Sequence, residues 1–140
     1  MLTYTTYSEA GGVGKSTLAA NLAAAHTEHG RDVLVIDLDP QQGSLTHLLG
    51  IAAPRDDGEA DNIARHLIDR PKGSFSDLIH ETPFDFDILP AHNMLEQLPK
   101  LLTKAEEMAE DLEESFDPND RLRQVLADTN ISQEIGRAHV

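Results

Sequence analysis

The chain contains no cysteine. That absence excludes a disulfide framework, a thiolate metal site and a cysteine nucleophile together, and it suits a cytoplasmic setting. No apolar run approaches the roughly 18 residues that span a bilayer. The longest candidates, 18–25 and 33–36, are short or interrupted, and residues 1–7 carry neither a basic n-region nor a small-residue cleavage site. Positive charge is scarce. Eleven Lys and Arg, only four of them lysines (Lys15, Lys72, Lys100 and Lys104), face twenty-five Asp and Glu, for a net charge of -14. A chain this acidic repels bare nucleic acid at long range. Apart from Glu9, its carboxylates run from Glu28 to Glu134 and are not massed in a tail. This pattern is expected of a halophile surface, because in molar salt a Debye length of roughly 3 Å screens the self-repulsion, with an ordinary acidic mesophile as the alternative.

At 140 residues the chain fits one domain. Residues 2–7 are rich in β-branched and aromatic side chains and predict a first strand. An Ala- and Leu-rich helix is expected over 15–29 with Gly30 at its C-terminal end, then an apolar strand over 33–36. A short helical turn over 44–50 and a charged loop over 52–60 follow. Asp61 is placed to cap a helix over 62–69, a short helix starts at Ser74 or Ser76, and 86–89 forms the third strand. Apolar residues at helical spacing predict one long helix over 93–114, kinked at Pro99, and a last helix runs over 118–128. The fold class is α/β, a mostly parallel sheet of about three strands with flanking helices.

Gly11, Gly12, Val13, Gly14, Lys15, Ser16 and Thr17 sit between the first predicted strand and helix. Glycines there let backbone N–H groups converge on a concave anion site, toward which the following helix points its positive end. Lys15 offers a point charge to the β- and γ-phosphates of ATP, and Ser16 offers a hydroxyl to Mg²⁺. At the end of the second strand, Asp37 and Asp39 stand two apart and face one side for as long as the chain stays extended. That end is where open α/β sheets bind ligands.

The first glycine of the ordinary Walker pattern falls at Glu9, and the glycines crowd toward the lysine instead. This crowding, with Thr17, Asn21 and the run Asp37-Leu38-Asp39-Pro40-Gln41, resembles the deviant Walker loop and first switch of the ParA and MinD ATPases, most closely the Soj-like ParA partition proteins. The resemblance implies that Lys15 and Asp39 are catalytic, with Asp39 orienting the attacking water, and that Asp37 supports the metal beside Ser16. It further implies ATP and Mg²⁺ as cofactors, a homodimer, DNA or a DNA-bound protein as partner, no membrane, and a haloarchaeal source in keeping with the charge. Members of the MinD branch end in a basic membrane helix, and the nitrogenase iron proteins use cysteines for a cluster; neither feature is seen. In the family a lysine leads the loop, where this chain has Ala10. A non-hydrolysing, nucleotide-dependent regulator is therefore the alternative, and a small-molecule kinase a third.

Relative to that family, residues 1–134 are expected to be the N-terminal part of the ATPase domain, inactive alone, with the second switch and the adenine-binding part lying beyond it. Residues 135–140 fit no element of the pattern, match one reading frame of a common sequencing adapter, and are expected to be a non-native tail. The seven histidines show no ligand-like spacing. His26 and His29 read as a solvated helix face, as do the acidic residues from Glu106 to Glu114.

Overall fold

The structure, a computed structural model, describes residues 2–3, 5–7, 14–41 and 44–129. The Ala-rich stretch forms α1, Lys15–Glu28. Gly14 opens it at φ 90° and Gly30, just beyond the C-cap His29, closes it at φ 76°. Side chains are strained at both angles, which is why glycine stands there. The Gly30 N–H donates to Thr27 O at 2.9 Å and the Arg31 N–H to His26 O at 3.1 Å, so carbonyls of the last turn find partners.

Strand β1, Leu34–Ile36, leads to the short helices α2, Leu45–Leu48, and α3, Ile63–Leu67. A 3₁₀ turn, Phe75–Leu78, precedes β2, His80–Glu81, and β3, Asp87–Leu89. A second 3₁₀ turn, Asn93–Gln97, runs into α4, Leu98–Asp111, and α5, Arg121–Asp128, follows. The sheet has the order β1-β3-β2. β1 lies parallel to β3 with Val35 opposite Ile88, and β2 lies antiparallel to β3 with His80 opposite Ile88.

The core joins α3, β3 and α5. Ile63, Ala64, Leu67, Phe75, Leu89, Ala91, Leu95 and Val125 are buried together, with Leu34, Ile36, Leu122 and Leu126 packed around them. Each large apolar side chain so buried contributes roughly 1.5–3 kcal/mol. Arg121 adds a polar tie: its Nε donates to Leu67 O at 2.8 Å and its Nη2 to His66 O at 3.1 Å, which binds α5 to carbonyls at the end of α3.

Four expectations are corrected. The described residues of the first segment, 2–3 and 5–7, form no strand. Leu2 and Tyr7 are exposed, so this segment buries no apolar face against the sheet, whose described strands are three others. The third strand of the sheet is instead β2, too short to leave an alternating pattern. It is set by Thr82, whose hydroxyl donates to Phe86 O at 2.7 Å and accepts from the Phe84 N–H at 3.2 Å. Asn62, not Asp61, caps α3, accepting from the Arg65 N–H at 3.2 Å, because the Asp61 carboxylate is turned toward His66 and Lys72. Finally, 93–114 is a 3₁₀ turn followed by a separate helix that ends at Asp111, with Glu113 at φ 57°. Pro99 lies in the first turn of α4, where its missing N–H costs no hydrogen bond, so it opens a helix and kinks none.

Candidate functional site

The site grows from the carboxyl end of β1. The parallel ladder with β3 ends where the Asp37 N–H donates to Leu89 O at 3.0 Å. The chain then leaves the strand at once. The Asp39 N–H donates to Asp37 Oδ1 at 3.1 Å and the Gln41 N–H to Asp39 Oδ1 at 2.9 Å, two successive Asx-type bonds that fold residues 37–41 away from an extended path.

The two carboxylates consequently serve different partners. Asp37 is 6% exposed. Its Oδ2 accepts from the Thr46 N–H at 2.8 Å and from the Thr46 hydroxyl at 2.6 Å. That hydroxyl also accepts from the Ala91 N–H at 2.9 Å, so one threonine links the end of β1, the start of α2 and the segment after β3. Asp39 is half-buried and turns to the cradle, its Oδ2 4.0 Å from Lys15 Nζ.

Gly14, Lys15, Ser16 and Thr17 are described, and Lys15 begins α1. Gly11, Gly12 and Val13, expected to complete the cradle, lie outside the described residues, as do Glu9, Ala10 and the proposed tail 135–140. The N–H groups of the first turn of α1 have no carbonyl one turn earlier in the helix, and with the positive end of its dipole they form an anion-attracting pole. The described part of the site is thus a helix N-terminus with a lysine, a hydroxyl pair and a carboxylate brought close to that lysine. Thr46 was missed by sequence reasoning. A threonine nine residues after Asp37 gives no signal of its own, since only the fold brings it back to the strand end.

Two histidines prove to be structural. His66 Nε2 lies 2.8 Å from Asp61 Oδ2, and its ring meets Phe75 edge-on at 5.5 Å. Burial tends to raise the Asp61 carboxyl, but the Lys72 N–H at 3.0 Å and the His66 ring outweigh it and hold Asp61 below the usual carboxylate range. His92 Nδ1 accepts from the Met94 N–H at 3.0 Å, so Nε2 carries the hydrogen and donates to Asp57 O at 2.9 Å.

Residues 3–131 match the AAA domain family AAA_31. The chain belongs to that family. It is a ParA/MinD-like P-loop ATPase domain of α/β fold. Among curated relatives, the chromosome-partitioning ATPase Soj of Thermus thermophilus is 56% identical over 45 residues, 32% of this chain and 18% of that protein. An uncharacterized protein of Mycobacterium tuberculosis is 40% identical over 83 residues, 59% of this chain and 24% of that protein. Among solved structures, the cobyrinic acid a,c-diamide synthase of Mycobacterium smegmatis with bound ADP and magnesium superposes with a TM-score of 0.67 at 30% identity, over 87% of this chain and 43% of that one. This AAA domain chain therefore spans less than half the length of these relatives. No helix among its described residues is long and apolar enough to cross a membrane.

Proposed function

We propose that the chain is the nucleotide-binding part of a Mg-ATP-dependent ParA-type ATPase acting in the partition or positioning of DNA in a salt-accumulating cell. The observation that carries this reading is the approach of Asp39 Oδ2 to Lys15 Nζ at 4.0 Å, which sets a strand-end carboxylate beside the cradle lysine where a γ-phosphate and its attacking water would meet. In this reading Gly11 to Thr17 cradle the phosphates, Lys15 neutralises them, and Asp39 orients the water. The oxygens present suit a hard divalent cation. Ser16 supplies a hydroxyl, and Asp37 Oδ1, which accepts one bond from the Asp39 N–H, has acceptor capacity left to support the metal's shell. Mg²⁺ held there would spread positive charge over the β- and γ-phosphates.

The relatives lend support within their extent. The likeness to Soj extends over 45 residues, and the synthase of M. smegmatis holds ADP, and in a second structure an ATP analogue, with magnesium. A homodimer and a DNA-bound partner belong to the same proposal. Ala10, where the family has a lysine, favours one second reading: a protein that binds Mg-ATP as a switch and hydrolyses it slowly or not at all. Calorimetric titration with Mg-ATP and a phosphate-release assay at molar KCl, made on the full-length protein, separate the two. Binding with turnover supports the ATPase, binding without turnover supports the switch, and absence of binding removes both.

A further inference from the structure

Arg55 lies in the loop between α2 and α3, a loop that sequence reasoning assigns to surface. Its guanidinium instead gathers the segment that follows Asp39. Nη2 donates to the carbonyl oxygens of Asp39 at 3.3 Å, Pro40 at 2.5 Å and Gln41 at 2.6 Å, while Nη1 donates to Ser44 Oγ at 2.9 Å. Nε donates to Asn93 Oδ1 at 3.2 Å. The Asn93 N–H returns a bond to Arg55 O at 3.0 Å, so the arginine is held through side chain and backbone to the segment after β3.

These bonds have one geometric effect. Three consecutive carbonyls converge on one nitrogen, which requires residues 39–41 to curl around the guanidinium. That curl is the same one in which the Gln41 N–H reaches Asp39 Oδ1. A planar fork with five donors suits such a concave row of acceptors; the compact ammonium of a lysine does not. Among the described residues none of the partners of Arg55 is a carboxylate, so its positive charge is met there by carbonyl and hydroxyl dipoles and the loop is drawn in without neutralising the carboxylate it presents.

We infer that Arg55 is a positioning residue for the nucleotide reaction: it fastens residues 39–41 and Ser44 to the segment after β3 and thereby aims the Asp39 carboxylate at Lys15. This rests on the proposed role of Asp39. It predicts that Arg55 governs turnover and not ground-state binding, because a group misplaced by about 1 Å can lose on the order of 100-fold in rate with the ligand contacts unchanged.

The test compares the full-length parent with its Arg55→Ala, Arg55→Lys and Asn93→Ala variants in molar KCl, reading ATP affinity by calorimetry, phosphate release at saturating Mg-ATP, and amide hydrogen exchange across 37–46. The expected result for Arg55→Ala is ATP affinity within about threefold of the parent, a 10- to 100-fold loss of turnover, and faster exchange of 37–46. Arg55→Lys should recover little of the rate, and Asn93→Ala, which spares every bond to 39–44, should fall between. Parent-like turnover and exchange in Arg55→Ala would overturn the inference, as would equal losses of affinity and turnover. If the parent binds ATP without hydrolysing it, the ATPase reading fails by itself. Exchange then decides on Arg55, since protection of 37–46 by Mg-ATP must be present in the parent and absent from Arg55→Ala. If Arg55→Ala does not fold, Arg55→Lys and Asn93→Ala decide by the same readings.

Discussion

Thr46 holds the Asp37 carboxylate twice, through its backbone N–H at 2.8 Å and its hydroxyl at 2.6 Å, and the same hydroxyl accepts from the Ala91 N–H. All three residues are buried, with Thr46 itself 2% exposed. One oxygen atom therefore registers the end of β1 against the segment that leaves β3.

Thr46→Val keeps the shape and deletes that oxygen, leaving the Ala91 N–H without its acceptor and Asp37 Oδ2 with one donor fewer. A loss of about 2–4 kcal/mol is expected, since each buried group left unsatisfied costs roughly 1–3 kcal/mol. Thr46→Ser restores most of it. Denaturant midpoints of the three proteins check this, and a Val variant as stable as the parent would exclude the bond as a structural tie.

Lys15→Ala removes the described cradle's cation. ATP affinity should fall at least 10- to 100-fold, the equivalent of one or two charge-assisted hydrogen bonds. A calorimetric titration that gives parent-like affinity would place the phosphates elsewhere.

Asp39→Ala should leave ATP binding equal or tighter, because it takes away a negative charge 4.0 Å from Lys15 Nζ. Turnover at saturating ATP should drop on the order of 100- to 1,000-fold if the carboxylate orients the water. The signature is this split between affinity and rate, measured on one preparation.

Asp61→Asn tests the joint between α3 and the Lys72 loop. The folded protein holds the Asp61 carboxyl below its ordinary value of 3.8, so it stabilises the fold above that value and the contribution fades as pH falls through the lower folded value. The parent should accordingly lose stability on acidification below about pH 5 more steeply than the Asn variant, which starts about 1–2 kcal/mol less stable at neutral pH. Thermal melts from pH 7 down to pH 3 give both slopes, and parallel slopes would show that Asp61 does not make this contribution.

With a net charge of -14, unfolding midpoints should rise steeply with KCl from tenths molar to molar, as the screening length contracts from about 10 Å to 3 Å. A midpoint that stays level over that range would count against a salt-adapted surface.

Much of this was legible because it is written locally. The glycines at 14 and 30 announce the ends of α1, and the apolar run before Asp37 announces β1. The 86–89 run announces β3 in the same way. What escaped was written across distance. β2 exists because two residues find the far side of β3, and Asp61 yields the cap of α3 to Asn62 because His66 and Lys72 compete for its carboxylate. Lys15 and Asp39 could be named from spacing. Thr46 and Arg55 could not, since their partners lie on other elements and neither belongs to a motif.

A strand of two residues offers an incoming chain few unpaired N–H and C=O groups, and β2 is also antiparallel to its neighbour. β1 is different: it pairs with β3 along its whole length, and its other edge has no strand against it among the described residues. The open edge of the sheet among the described residues and its acidic tip, Asp37 and Asp39, therefore belong to the same strand, so a parallel strand added there would stand beside both carboxylates.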